Sequence, residues 1–168
     1  MSAVASVQVQ SYLSVTETLD NAPEAGDSTT VTMNEWNQGQ KNLTSSTTPP
    51  VTKHCAEEVD PSGSGASTAT IDLTDFTDLE GESQDASGLK VQVLRVRTPS
   101  TNTGNVTIGP AGANPYQLFG TGTSVEFPPD SELNFQWNDT LADVSATVKN
   151  VLISASGSDT AYVQLVLG

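Results

Sequence analysis

Apolar and polar residues alternate with a period of two along most of this chain. Between residues 4 and 16, Val7, Val9, Leu13 and Val15 fall on one face, with Gln8, Gln10, Tyr12 and Ser14 on the other. Such alternation is the mark of a half-buried strand. Thr30 to Trp36 repeats it briefly, with Val31 and Met33 inward. Residues 37–50 are polar and end in Thr-Thr-Pro-Pro, which predicts an extended loop. Val51 to Val59 follows as an edge strand, because Pro49 and Pro50 cannot donate to a ladder.

The pattern tightens from residue 69. Ala69, Ile71 and Leu73 alternate with Thr70, Asp72 and Thr74. Leu133, Phe135 and Trp137 alternate with Asn134, Gln136 and Asn138. The regularity predicts all three large side chains inward. Ser124–Phe127, Val144–Val148, Val151–Ala155 and Ala161–Leu167 complete the predicted strands. The densest run is Leu89 to Arg97, with apolar residues at 89, 91 and 93 on one face and 94 and 96 on the other. That switch of parity implies a β-bulge or a strand buried on both faces. The run leads through Thr101-Asn102-Thr103-Gly104 into Asn105–Gly109 and a glycine-punctuated loop to Gly120, and reads as the central hairpin of a sandwich. Short strands joined by turns such as Pro128-Pro129-Asp130 and Ser156-Gly157-Ser158-Asp159 predict an all-β, antiparallel β-sandwich or jelly-roll-like domain with an extended N-terminal arm. Pro61 to Ser67 is the best internal break, dividing residues 1–66, an arm or strand-bearing extension, from a core domain over 67–168.

Composition agrees. At 168 residues the chain fits one domain, only 15% of it is charged, and Ser and Thr make up about a quarter. The net charge is −14, and it is uneven. Residues 1–88 hold fourteen carboxylates against two lysines, whereas residues 89–168 hold six against four basic residues. A surface of this sign repels phosphate backbones, so nucleic acid is not an expected partner. One cysteine, Cys55, excludes an intramolecular disulfide framework. Met1 to Gln10 lacks the basic and apolar regions of a signal peptide, and no apolar run reaches the ~20 residues that span a bilayer. No membrane partner is expected.

Candidate chemistry is sparse. Asp72, Asp75, Asp78, Glu80, Glu82 and Asp85 offer the oxygen density of a Ca²⁺ site, but without EF-hand spacing, and read as a solvated acidic loop. His54 and Cys55, adjacent on a strand, point to opposite faces and cannot form a catalytic pair or a full metal site. Gly104, Gly109, Gly112, Gly120 and Gly122 match no phosphate-binding pattern, and no Gly-x-Ser-x-Gly elbow exists. Neither an enzyme nor a cofactor is expected. Tyr116, Leu118 and Phe119, between Pro115 and Gly120, either plug one end of the sandwich or anchor a neighbouring subunit.

Thr70–Phe76, Gly88–Leu94, Asn102–Gly109, Phe127–Ser131 and Val163–Gly168 together resemble a family of small tailed-bacteriophage virion structural proteins. The resemblance covers about residues 67–168, and residues 1–66 lie outside it. It implies a capsid-associated β-sandwich, made in the host cytoplasm and carried on the virion exterior. The function expected on this basis is a capsid decoration or cement protein that binds the outer face of the major capsid protein shell and stabilises it. Self-association, as a homotrimer, would use Tyr116, Leu118 and Phe119, with Val7, Val9 and Leu13 of the arm as further interface candidates. The alternative is a tail or fibre module that binds a host glycan through Trp36, Tyr116 and Trp137.

Overall fold

The computed structural model describes residues 7–18, 30–44, 46–47, 50–59, 68–77, 83–137 and 140–168; for 7–18, 30–42 and 56–58 it describes the backbone alone. The protein is all-β. Its strands are β1 (Val7–Thr18), β2 (Thr30–Leu43), β3 (Lys53–Val59), β4 (Thr68–Asp72), β5 (Phe76–Thr77), β6 (Ser83–Gln84), β7 (Val91–Arg97), β8 (Val106–Pro110), β9 (Val125–Phe127), β10 (Glu132–Gln136), β11 (Asn150–Ala155) and β12 (Ala161–Leu167). Among the described residues no helix is long and apolar enough to cross a membrane.

Eight of these strands form two four-stranded antiparallel sheets, ordered β10-β7-β12-β3 and β4-β11-β8-β9. Chain order explains the wrapping. From β3 to β12, every step between these eight strands changes sheet except β8 to β9, which pair as neighbours. That is the double-wound arrangement of a jelly roll, with first and last strands side by side as β3 and β12. The inner faces supply one core, including Ile71, Leu94, Val96, Ile108, Phe127, Ile153, Val163 and Leu165. Each such aliphatic or aromatic side chain, fully buried, contributes about 1.5–3 kcal/mol.

The parity switch in β7 is a bulge. Val166 faces Val93 and Leu167 faces Val91, so Gln92 is the extra residue. Its side-chain amide nitrogen donates to the Gly168 carbonyl, while its backbone carbonyl accepts from the Trp137 amide. Leu94 and Val96 consequently point into the core, and Val93 points outward yet stays buried against Leu43, Val51 and Val166.

Several expectations are corrected. The stretch Leu89–Gly109 is not a hairpin: β7 and β8 lie in opposite sheets, and the segment between them crosses from one to the other. Two hydrogen-bonded anchors, Thr98 on Ser131 and Thr103 on Asp159, direct that crossing. Residues 144–148 form a turn closed by Ser145 and Val148 rather than a strand. The polar stretch after Trp36 is β-strand as far as Leu43, because its backbone pairs with β1, as at Tyr12 with Asn37 and Gln8 with Asn42. Leu133 is 47% exposed, since β10 is a sheet edge. β3 belongs to the segment read as an extension, yet it pairs along its length with β12, so the extension contributes a strand to the sandwich. The break at 61–67 lies outside the described residues.

Candidate functional site

Described side chains gather at both ends of the sandwich. At one end the three described crossings, residues 98–105, 128–131 and 156–160, are tied by polar groups. Asp159, 2% exposed, accepts hydrogen bonds from the Thr103 amide at 2.6 Å and the Gly104 amide at 2.9 Å, and from the Ser156 hydroxyl at 3.2 Å. Hydrogen bonds from the Thr103 backbone, joined by those from Gly104 and Ser156, hold its carboxyl below the usual range despite desolvation. A Cβ at position 104 would meet the Ser156 hydroxyl and press on Asp159, so a larger residue there would make the Ser156 side chain turn away from the knot. Asn102 donates to the Thr160 carbonyl at 2.8 Å and accepts from the Thr160 amide at 3.0 Å. Thr98 donates to the Pro128 carbonyl at 2.6 Å.

The other end is closed by apolar groups. Tyr116 and Leu118 are each 1% exposed. The Tyr116 hydroxyl accepts from the Val91 amide at 3.0 Å and donates to the Ala142 carbonyl at 2.7 Å, so the ring is a plug with a satisfied polar tip. Burial pushes its pKa up to about 12. Phe119 is half-buried, edge-on to Phe135 at 5.1 Å and tilted on Trp137 at 6.1 Å, and Trp137 stacks on Phe135. Of the three loop residues proposed as partner contacts, Tyr116 and Leu118 are thus core and offer no surface to a partner. Phe119 retains a partly exposed ring. Val7, Val9 and Leu13 lie on β1 at positions facing Leu43, Lys41 and Trp36, and their side chains fall outside the described residues, as does that of Trp36. Tyr116 and Trp137, two of the glycan-contact candidates, pack on the core.

The acidic loop is built from local pairs. Asp72 holds the Lys149 ammonium at 2.6 Å and accepts from the amide and hydroxyl of Thr74. Burial pushes this carboxyl up, but the hydrogen bonds from Lys149 and Thr74 outweigh it and keep it low. Asp75 accepts from the Ser83 hydroxyl, and Asp85 from the amide and hydroxyl of Ser87, which lower its pKa. Asp78, Glu80 and Glu82 lie outside the described residues. Among the described residues no three His, Cys, Asp or Glu side chains gather as metal ligands. Cys55 is buried in the core, whereas His54 is on the opposite face of β3, half-buried, with its pKa lowered by burial.

What remains is the outer face of the β10-β7-β12-β3 sheet, which sequence reasoning passed over. Beyond the bulge, Val93, Arg95 and Arg97 point outward from β7, and register sets them beside Val166, Gln164 and Tyr162 of β12 and beside Gln136, Asn134 and Glu132 of β10. One end of this face is apolar and covered, where Leu43 and Val51 pack on Val93 and Val166. The β1–β2 ribbon, a separate two-stranded sheet, is rooted there through Leu43. The other end is polar and open. Arg95 reaches diagonally to Glu132, with Nε at 2.9 Å and Nη2 at 2.8 Å from one oxygen, and its Nη1 meets Gln164 at 3.3 Å. Arg97 lies over the ring of Tyr162, 5.6 Å from its centroid, and Tyr162 is 39% exposed. The signal in the sequence was two arginines at i and i+2 in a chain of net charge −14.

No family model and no curated protein matches the chain. A solution structure of a de novo designed double-stranded β-helix is similar over 69% of this chain and 99% of that chain, at 8% identity and a TM-score of 0.32. A likeness at that level carries no argument.

Proposed function

We propose that this chain is a virion structural protein without catalytic activity, a decoration or cement protein on the outer face of a capsid shell. The observation that carries the reading is the β1–β2 ribbon. Its strands of 12 and 14 residues pair with each other and with neither sheet of the sandwich, and at the end of β2 Leu43 is buried against Val51, Val93 and Val166. A ribbon that pairs with neither sheet is free to add its strand edges to another protein's sheet. Exposed strand edges of a neighbouring capsid subunit are the surface it would extend, with main-chain hydrogen bonds supplying affinity. Many copies on one shell turn modest contacts into firm retention through avidity. The partners are the major capsid protein and further copies of this chain as a homotrimer. The acidic net charge disfavours packaged nucleic acid as a partner.

Cosedimentation with capsid shells tests this. Removing residues 1–40 keeps Leu43 in the cluster with Val51, Val93 and Val166, and should leave the sandwich folded while abolishing retention on shells. A longer deletion through residue 60 would also remove β3 and confuse loss of binding with loss of fold. Full retention of the ribbonless protein would overturn the reading.

A further inference from the structure

We infer that β10 is a self-association strand: two copies of this chain join edge to edge by antiparallel pairing of Glu132–Gln136 about a two-fold axis at Asn134. Among the described residues β10 pairs with β7 on one side and with no strand on the other. Sheet edges are ordinarily blunted by lysine, proline, a bulge or a covering element. At the opposite edge of the same sheet, Lys53 of β3 is tied to the β5–β6 hairpin and the residue after it, donating to Gln84 at 3.2 Å and to the Asp85 carbonyl. β10 has no such device among the described residues. Its register on β7 is unbroken, and its one charge, Glu132, is held by Arg95. Glu132, Leu133, Asn134 and Gln136 are exposed, Leu133 to 47%, and Phe135 is half-buried.

The hydrogen-bond phase set by β7 fixes what this edge offers. At one end of the strand the Ser131 carbonyl accepts from the Thr98 amide, and at the other the Trp137 amide donates to the Gln92 carbonyl. Odd-numbered residues therefore turn their N–H and C=O toward β7, and those of Glu132, Asn134 and Gln136 face out from the edge. An antiparallel copy engages all three in one register alone: Glu132 with Gln136, Asn134 with Asn134, and Gln136 with Glu132, for roughly six main-chain hydrogen bonds. Every other register in phase engages fewer, and centring on Glu132 would set that carboxylate against itself. The full register also places Leu133 beside the partner's Phe135, twice, at the non-hydrogen-bonded positions where side chains approach most closely. The strand is thus complementary to itself in bonding phase, apolar pairing and charge, as an isologous contact demands. That self-complementarity selects a second copy over an unrelated strand. The contact is two-fold, separate from any three-fold one, and requires no shell, so purified protein tests it apart from the capsid reading.

Sedimentation equilibrium on the full-length natural chain, Leu133→Asn and Asn134→Pro makes the test. The natural chain should dimerise. Proline at 134 removes an N–H that faces the open edge, where a strand tolerates the loss, and asparagine at 133 removes the apolar pair. Each change acts twice in a two-fold contact and should weaken dimerisation at least about tenfold. Melting temperatures taken at dilutions that keep every protein monomeric should stay near that of the natural chain. Should the proline disturb the fold, Leu133→Asn carries the comparison alone. Asn134→Cys tests the register. Cα atoms across a hydrogen-bonded pair are about 5.5 Å apart, inside the roughly 4.4–6.8 Å that a disulfide spans. Mild oxidation should therefore cross-link Asn134→Cys into dimers, and faster than Thr77→Cys, an exposed position on the β5–β6 hairpin, with Cys55 buried in both. A monomeric natural chain, association unchanged by Leu133→Asn and Asn134→Pro, or cross-linking no faster at 134 than at 77 would overturn the pairing. A chain that stays monomeric but loses shell binding through Asn134→Pro would also overturn the second copy, in favour of a strand of the shell protein.

Discussion

The two ends of the sandwich are closed by opposite chemistry. One is a knot of hydrogen bonds around Asp159, Asn102 and Thr98; the other is a plug of Tyr116 and Leu118 with Phe119 against Phe135 and Trp137. Jelly rolls that bind ligands commonly do so in a barrel mouth or between loops at an end. Here many of the described loop side chains at the two ends are spent on one another. The comparison teaches that ends closed by opposite chemistry should fail under different stresses.

The largest effect belongs to the plug. Tyr116→Ala removes a fully buried ring and should cost about 3–5 kcal/mol, against roughly 5–15 kcal/mol for a whole domain. Chemical denaturation should show the loss directly. Tyr116→Phe keeps the ring but strands the Val91 amide and Ala142 carbonyl, and should cost about 1–3 kcal/mol. If the phenylalanine variant is as stable as the natural chain, the hydroxyl is not part of the closure. In the natural chain the same burial should keep one of the three tyrosines from ionising until near pH 12 in an ultraviolet titration.

The knot should show itself through pH. The Asp159 carboxyl has a folded-state pKa below its unfolded value, so its contribution is present above the unfolded pKa and is lost as pH falls through the folded one. Asp159→Asn should lower melting temperature at neutral pH by less than Tyr116→Ala does, and the gap from the natural chain should narrow under acid conditions. A gap that stays constant down to low pH would show that the Asp159 charge is not what closes this end. Smallest of all is Leu133→Asn on the exposed edge strand, expected within about 0.5 kcal/mol of neutral by denaturant midpoint.

Local pattern made most strands legible, though not residues 37–43 or the turn at 144–148, and even the bulge, because parity at Val93 and Leu94 is a property of neighbouring residues. Long-range pairing was not legible. The segment from Pro99 to Asn105 looks like a hairpin turn until Asp159, more than fifty residues away, is seen to anchor Thr103 and Gly104. Leu133 alternates like a core residue, and only the edge position of β10 exposes it. The Arg95 and Arg97 face went unread for the same reason: Glu132, Gln164 and Tyr162 are brought to it by register, which no window of sequence contains. Tyr116 was weighed between plug and interface because its loop is short and apolar, and its two hydrogen bonds to residues 91 and 142 decide for the plug.

The central proposal is that the chain decorates a shell through its β1–β2 ribbon, and the most direct measurement is its place on virus particles. Electron microscopy of labelled particles should find it on the heads in many copies, spaced with the capsid lattice, and absent from heads when residues 1–40 are removed. A few copies confined to the tail, or ribbonless protein still ordered on the head, would contradict it.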